Sequence, residues 1–420
     1  MLTDRYSTVE MSHIWSPAQR FTTWRTVAAL MTSIKENNPT LAGQILSIDA
    51  PIRLVEVQAE EDKVGHDVVA FLNVWTRQLP DQLATKIHRG LTSSDLVDTS
   101  LAVTTSLAID MIQTDLAALI RLLVRKVEEF WDVRRVGRTH GQVAEETTLG
   151  YQLAKYAQSL MDCYARLNNS QQTDLVIKMS GAVGCYRWSS VEQEVELAAA
   201  LGPEFTAAMI SGQCVDRQHY ARIVSELAIL ASTFENLAMQ VRLGQTLGEL
   251  NEGHSTTRIG SSVMPHKRNP IRSEQVSGLA RMVRAQVGPA LESIPMWGEH
   301  DISHSSVERL VLPTAFHLTH YLSQSLYELF HQLQVDVDEI KNNVDAHQFE
   351  TRSSAALVAM VDYGMPPDLA REAVRDLKVD PNSNPDEWQV FGRKLEPVPP
   401  KLNHVLTLLF DLMKELDIVG

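Results

Sequence analysis

Apolar positions recur at helical spacing along three segments of the chain. Ile109, Ile112, Leu116, Leu119 and Leu123 follow intervals of 3, 4, 3 and 4. Ile223, Leu227, Leu230, Phe234, Leu237 and Val241 alternate intervals of 4 and 3. Leu318, Leu322, Leu326, Leu329 and Leu333 carry a third stripe. Such spacing keeps the apolar side chains on one side of a helix, so each segment predicts a long helix with a seam, as in a bundle. The stretch TLGYQLAKYAQSLMDCYARLNN, from about Thr148, predicts a fourth. Alternating β-branched runs bounded by turns are scarce, so the chain reads as all-α. A bundle with no site would show the same stripes. They give architecture and no chemistry.

Softer signals divide the chain into three parts. Residues 1–95 read as shorter helices with polar breaks, an N-terminal helical domain closing on RGLTSSDLVDTS. There Ser93, Ser94 or Asp95 suits the cap of the helix that follows. Residues 96–345 read as a central helical bundle. Residues 346–420 read as a small C-terminal helical domain with the Pro-rich loops KVDPNSNPDEW and LEPVPPK. The length of 420 residues suits two or three domains of about 150 residues each.

Composition narrows the function classes. No apolar run reaches the roughly 18 residues of a membrane span, and the N-terminus lacks the basic and apolar regions of a signal peptide. Cys163, Cys185 and Cys214 are scattered and odd in number, which predicts a reduced cytoplasmic protein without a disulfide framework. There is no CxxC or HExxH, and no Gly-rich dinucleotide motif follows a strand, so neither a metal nor a cofactor is expected. A net charge of −14 argues against nucleic-acid and anionic-membrane partners. An anionic small ligand would need a locally cationic pocket.

Four polar interruptions have unusual content: KVGHDVVAF (63–71), GLTSSD (90–95), GRTHGQ (137–142) and GSSVMPHKRNP (260–270). Between them they gather small residues, hydroxyls, histidines and cations. Singly they are weak signals. A lone His140 is more often a surface residue, His66–Asp67 also suits a helix start, and Lys267–Arg268 suits a solvated face.

Together they resemble the fumarase/aspartase superfamily of lyases, whose signature GSSVMPHKRNP matches. RYSTVEMSHIWS, HDVVAF, GLTSSDLVDT, GRTHGQ and DISHSSVERLVLP, collinear from Arg5 to Arg309, resemble the branch that cleaves succinylated purine nucleotides. The tail from Phe349 is similar to that branch's short third domain. The resemblance implies an all-α fumarase/aspartase-like fold, with a central long-helix bundle flanked by two smaller helical domains. It implies β-elimination of fumarate from adenylosuccinate, giving AMP, and from SAICAR, giving AICAR. It also implies a homotetramer in which three chains build each site. Argininosuccinate lyase and carboxymuconate cycloisomerase share much of the loop, but RYSTVEMSHIW and SSVER favour a nucleotide substrate. A helical protein that has kept the scaffold and lost the activity is the remaining alternative.

The chemistry needs a base that takes a proton beside an ionised carboxylate and an acid that protonates the departing nitrogen. Charge builds in the first step, so preorganised donors must carry it. By resemblance Ser261 is the base, although the residues alone point to a histidine. Gly260, Lys267 and closure of the loop would supply what the hydroxyl lacks. Lys267 and Asn269 would hold the carboxylate. His140 would be the acid, oriented by Glu274. His66 would lie near the phosphate and leaving group, with Asp67 on the purine side. Thr92, Ser93 and Gln213 would grip the succinyl carboxylate. Arg5, Tyr6, Ser305 and Arg309 would contact phosphate and ribose, where a planar guanidinium fork is apt.

Three positions depart from the family pattern. Gly65 precedes the His-Asp pair where relatives carry a basic or polar residue. His300 stands where many carry an arginine, and would contact substrate there. Gln275 replaces an asparagine or arginine. The departures imply either weaker, pH-dependent affinity through His300 or a variant substrate.

Overall fold

The computed structural model describes residues 4–253, 264, 267–377 and 402–418. They form two compact units, 1–116 with 163–235 and 276–325, and 117–162 with 236–275 and 326–420.

Short helices open the chain: a 3₁₀ turn Asp4–Tyr6, α1 (Val9–Ile14), α2 (Pro17–Lys35), α3 (Leu41–Leu46), α4 (Leu54–Val64), α5 (Asp67–Thr76) and α6 (Asp81–Ala84). Then come α7 (Ser93–Glu129), α8 (Leu149–Asp174), α9 (Val191–Leu201), α10 (Gln218–Thr246), α11 (Ile271–Arg284), α12 (Val287–Glu292) and α13 (Ser303–Gln332). Four short helices follow: α14 (Val337–Ala346), α15 (Gln348–Asp362), α16 (Pro367–Leu377) and α17 (Leu402–Glu415). The three apolar seams fall in α7, α10 and α13, except that Leu333 follows the last residue of α13, and Ile109, Ile112, Leu116, Phe234, Leu322 and Leu326 are completely buried. Thr148 immediately precedes the fourth long helix, α8.

In the first unit, the faces of α2 and α5 meet through Phe21, Trp24, Phe71 and Trp75. The rings of Phe21 and Phe71 stack at 5.7 Å, and Trp24 meets Phe71 edge-on at 5.3 Å. Buried rings of this size are worth about 3–5 kcal/mol each against alanine. They fix the start of α5, and with it His66 and Asp67. Gly65 ends α4 in the left-handed conformation, φ 68°, and its N–H reaches Glu61 O at 2.8 Å. A glycine favours that cap because it carries no Cβ. The departure at this position thus has a local structural reason.

Strands are few and short. In the second unit, β1 (Arg134–Thr139) and β2 (Gln142–Thr148) form an antiparallel hairpin. In the first unit, β3 (Val176–Ile177) and β4 (Thr206–Ala207) pair in parallel. In the second, β5 (Leu250–Asn251) pairs antiparallel with β6 (Gln334–Val335). The GRTHGQ motif, read from sequence as a loop between helices, is this hairpin's turn. A buried pair anchors it: Arg135 Nε lies 2.6 Å from Glu249 Oε2, and Asn343 Nδ2 donates to the same carboxylate at 3.0 Å.

Candidate functional site

Eight of the sequence-predicted residues, besides Arg5 and Tyr6, lie within the first unit. His66 caps α5, and Asp67 is its first helical residue. Asp67 Oδ1 accepts from the Val68 N–H at 2.7 Å, and Oδ2 accepts from Arg309 Nη2 at 2.6 Å. Burial alone would raise the Asp67 carboxyl, but the Arg309 hydrogen bond and charge outweigh it and hold it below its usual value. His66 Nε2 lies 3.3 Å from Ser93 Oγ at the start of α7. Beside it, Gln213 Nε2 donates to Thr92 Oγ1 at 3.0 Å. The Gln213 N–H donates to Glu299 O at 3.1 Å, and the next residue, His300, places Nδ1 2.9 Å from Cys214 Sγ. Ser305 and Arg309 line one cavity on the first turns of α13.

Buried charges that the sequence reading passed over hold these segments in place. Asp95 and Lys178 are completely buried and paired. Asp95 also accepts from the Thr92 N–H at 2.8 Å, reaching back across the helix start as a capping box does. Asp95 is therefore the residue that secures the start of α7, while Ser93 is its first helical position. One turn on, Asp98 Oδ1 lies 2.7 Å from Arg217 Nη2, and Arg217 Nε lies 3.0 Å from Glu308 Oε1. Asp98 Oδ2 accepts from the Val215 N–H at 2.8 Å, fixing the segment that carries Gln213. Burial pushes Glu308 up to about 7, with Asp98 adding and Arg217 opposing. The available signal was the pair Asp95 and Asp98, two carboxylates at i, i+3 inside an otherwise buried stretch of α7.

Cys214, His300 and His304 bring three nitrogen and sulfur atoms within 4.8 Å of one another. Their chemistry does not suit a divalent cation. His304 Nδ1 lies 3.0 Å from the Asp301 carbonyl, so it carries the proton, and Nε2 accepts from Arg217 at 3.0 Å. Burial and Arg217 push His304 down to about 4, and burial with Asp98 pushes Cys214 up to about 11. The imidazole has no lone pair to spare, and the thiol keeps its proton.

The second unit holds His140, Lys267, Asn269 and Glu274. His140 is exposed at the tip of the β1–β2 hairpin, and both it and Gly141 have positive φ, 54° and 75°. That is the two-residue turn suited to right-twisted strands, with a histidine in a position it rarely takes. Lys267 is exposed and its N–H donates to Met264 O at 3.0 Å. Gln245 Nε2 donates to Arg268 O at 2.6 Å, and the buried Glu252 accepts from the Arg272 and Ser273 N–H groups that begin α11. A carboxylate there complements the helix dipole. Glu274 is exposed in the first turn of α11. Ser261, with Gly260, lies outside the described residues.

Arg5 and Tyr6 do not join Arg309. The Arg5 guanidinium lies 5.9 Å from the Tyr6 ring centroid, and Tyr6 meets Tyr321 edge-on at 5.6 Å. Tyr321 follows Arg309 by twelve residues on α13, about 18 Å along a helix axis.

Comparison with known proteins gives the class first. A 3-carboxy-cis,cis-muconate lactonizing enzyme from Pseudomonas putida superposes with a TM-score of 0.84 at 20% identity, covering 99% of both chains. A fumarate lyase from Mesorhizobium sp. BNC1 gives 0.79 at 18% identity, covering 100% of this chain and 97% of its own. At such identities the likeness is one of fold: all-α and fumarase-like. Sequence then narrows it. Residues 53–285 match the family model described as Lyase. The adenylosuccinate lyase of Synechocystis sp. is 36% identical over 372 residues, covering 86% of this chain and 84% of its own. That of Aquifex aeolicus is 35% identical over 384 residues, covering 89% and 86%. The chain belongs to the adenylosuccinate lyase family of the fumarase/aspartase superfamily.

Proposed function

We propose that the chain cleaves adenylosuccinate to AMP and fumarate, and SAICAR to AICAR and fumarate. The single observation that carries this reading is 34–36% identity to adenylosuccinate lyases over most of the chain. The linked constellation His66–Ser93, Thr92–Gln213 and Asp67–Arg309 supports it.

In the proposed mechanism Ser261 removes the proton from the carbon beside the succinyl β-carboxylate. Lys267 and Asn269 stabilise the charge that builds there. The C–N bond then breaks, its electron pair goes to nitrogen, and His140 supplies the proton, with Glu274 orienting the imidazole. The exposed hairpin tip leaves that ring accessible. Thr92, Ser93 and Gln213 hold the far carboxylate, and Ser305 and Arg309 the ribose phosphate. His300 presents a donor where relatives place a cation, and Arg5 and Tyr6 serve a site completed by another copy. The same reading makes the enzyme a cytoplasmic homotetramer with three helical domains per chain, 1–95, 96–345 and 346–420.

The test is fumarate release followed by ultraviolet absorbance, with adenylosuccinate, SAICAR and argininosuccinate side by side. Release from the two purine substrates, abolished by Ser261→Ala, is the expected result. Release from argininosuccinate alone, or from none, would remove the reading. A Ser261→Ala chain with intact turnover would remove the base.

A further inference from the structure

Two buried carboxylates, Glu249 and Glu252, flank β5 in the second unit. The strand between them is fixed. It pairs with β6, the Asp336 N–H donates to Glu249 O at 2.9 Å, and Arg135 and Asn343 hold the Glu249 carboxylate. Gly253 follows with φ 71°, and a Cβ there would lie 2.3 Å from the carbonyl oxygen of Gln332, the last residue of α13. Only a glycine fits so close to that backbone. Glu252 therefore projects from a main chain with little room to shift.

Helix α11 lacks a cap of its own. The first four N–H positions of a helix have no partner inside it. At α11 they belong to Pro270, Ile271, Arg272 and Ser273. Pro270 has no N–H, and it stands where Ser, Thr, Asp or Asn would supply a side-chain acceptor. The Ile271 N–H reaches Asn269 O at 2.9 Å. The two that remain go to one carboxylate ahead of the GSSVMPHKRNP motif: Arg272 N–H to Glu252 Oε2 at 3.0 Å, and Ser273 N–H to Oε1 at 2.6 Å. Every N–H of the first turn is thereby paired, and a negative charge sits at the positive end of the helix. Gln245 Nε2, donating to Arg268 O at 2.6 Å, ties the same segment to α10. Both ties grip main-chain groups, and the Lys267 and Glu274 side chains stay exposed.

We infer that Glu252 is a positioning residue for the elimination. By capping α11 from β5 it sets the place of Glu274, which follows the tethered Ser273, and of Lys267 and Asn269 just before the helix. The inference rests on the adenylosuccinate reading, in which those three side chains serve the proton transfers. The cap needs a carboxylate, because only two acceptor oxygens satisfy two N–H groups at once. An amide of the same shape turns its own N–H₂ toward one of the donors, so one end of the cap opens and the first turn frays. Groups that act only when aligned lose rate steeply on small displacements. Thr92, Ser93, Gln213, Ser305 and Arg309, the proposed grip on the substrate, belong to the first unit and are untouched. The loss therefore falls mainly on kcat.

The experiment follows fumarate release from adenylosuccinate in the full-length wild type, Glu252→Gln, Glu274→Gln and the double variant, with backbone hydrogen exchange of residues 271–275 recorded in each. Expected for Glu252→Gln is a kcat lower by about 10- to 100-fold with KM within about 3-fold of wild type. Exchange at Arg272 and Ser273 should quicken. In the Glu274→Gln background the same change should cost much less, because the side chain being positioned is already disabled. A Glu252→Gln enzyme with wild-type kcat overturns the inference, and so does a loss of equal size in both backgrounds. Exchange quickened throughout the chain, with kcat and KM impaired together, would mark a merely structural residue and overturn it too. If Glu252→Gln fails to fold, Glu252→Asp decides: the cap retreats by one methylene, kcat should fall at unchanged KM, and a wild-type kcat overturns the inference. A wild-type chain silent on adenylosuccinate and SAICAR removes the substrate reading and the inference with it, whereas an active chain indifferent to Glu252→Gln removes the inference alone.

Discussion

Asp95→Asn is the substitution whose consequences the structure prescribes most fully. Asp95 and Lys178 are both completely buried. One carboxylate oxygen accepts from Lys178 Nζ and, at 3.2 Å, from the Gly181 N–H. The other accepts from the Thr92 N–H at 2.8 Å. Once the carboxylate becomes an amide, Lys178 keeps the Gly181 carbonyl, at 3.3 Å, and at most a neutral acceptor at position 95, and loses the counter-charge of its buried pair. Leaving one member of a buried ion pair without its partner costs about 3–5 kcal/mol. For a cooperative unit of roughly 200 residues that corresponds to a fall in Tm of about 6–20 °C.

The same change loosens the loop that presents Thr92 to Gln213, so KM for adenylosuccinate should rise as well. Circular dichroism melts and fumarate absorbance read the two effects. The double variant Asp95→Asn, Lys178→Met removes both charges and should recover most of the lost stability, a coupling measured by a double-mutant cycle. An Asp95→Asn chain that melts within about 2 °C of wild type would refute the reasoning, since the expected cost is several times larger. So would a double variant no more stable than the single one.

Three further outcomes follow from the site. Glu308, raised from 4.5 to about 7 by burial, gives the folded chain an advantage that is full below pH 4.5 and lost as pH rises through 7; Glu308→Gln should therefore flatten the fall in Tm between about pH 5 and about pH 8, and a wild-type-minus-variant difference independent of pH would contradict the assignment. Arg309→Ala should raise KM for adenylosuccinate about 10- to 100-fold. It also frees Asp67 from the partner that lowers it, so the stability that Asp67 contributes above its unfolded value of 3.8 should fade at higher pH on acidification; Arg309 is 55% exposed, so that change should stay within about 1 kcal/mol. His140→Gln should lower kcat by about 10²- to 10⁴-fold with a smaller change in KM, and an unchanged kcat would remove the proton donor.

The long helices were legible because a seam such as Ile109 to Leu123 repeats for several turns, and only a helix buries all of it on one side. The β1–β2 hairpin was not. Its strands, RRVGRT and QVAEETT, run six and seven residues, mix charge with small residues, and offer no clean alternation. The short motifs led to His66, Asp67, Thr92, Ser93, Gln213, Ser305 and Arg309 because each motif keeps its residues within a few positions of one another. Pairs such as Asp95 with Lys178 and Asp98 with Arg217 lie 83 and 119 residues apart. No local pattern announces them, and only the folded first unit brings them together.

The structure also bears on how a chain of net charge −14 can attract an anion. Arg20 and Arg309 open onto one cavity, so the relevant potential is set by a few groups at close range and not by the total. Of the carboxyls nearest them, Asp67 is already committed to Arg309, and Glu308 has a pKa near 7 and holds its proton for part of the neutral range. Neither opposes an incoming phosphate with a full free charge. The cations missing at Gly65 and His300 therefore need not weaken phosphate binding while Arg309 keeps its place on that cavity. A chain in which Arg309→Ala leaves the KM for adenylosuccinate intact would return the burden to those two departures.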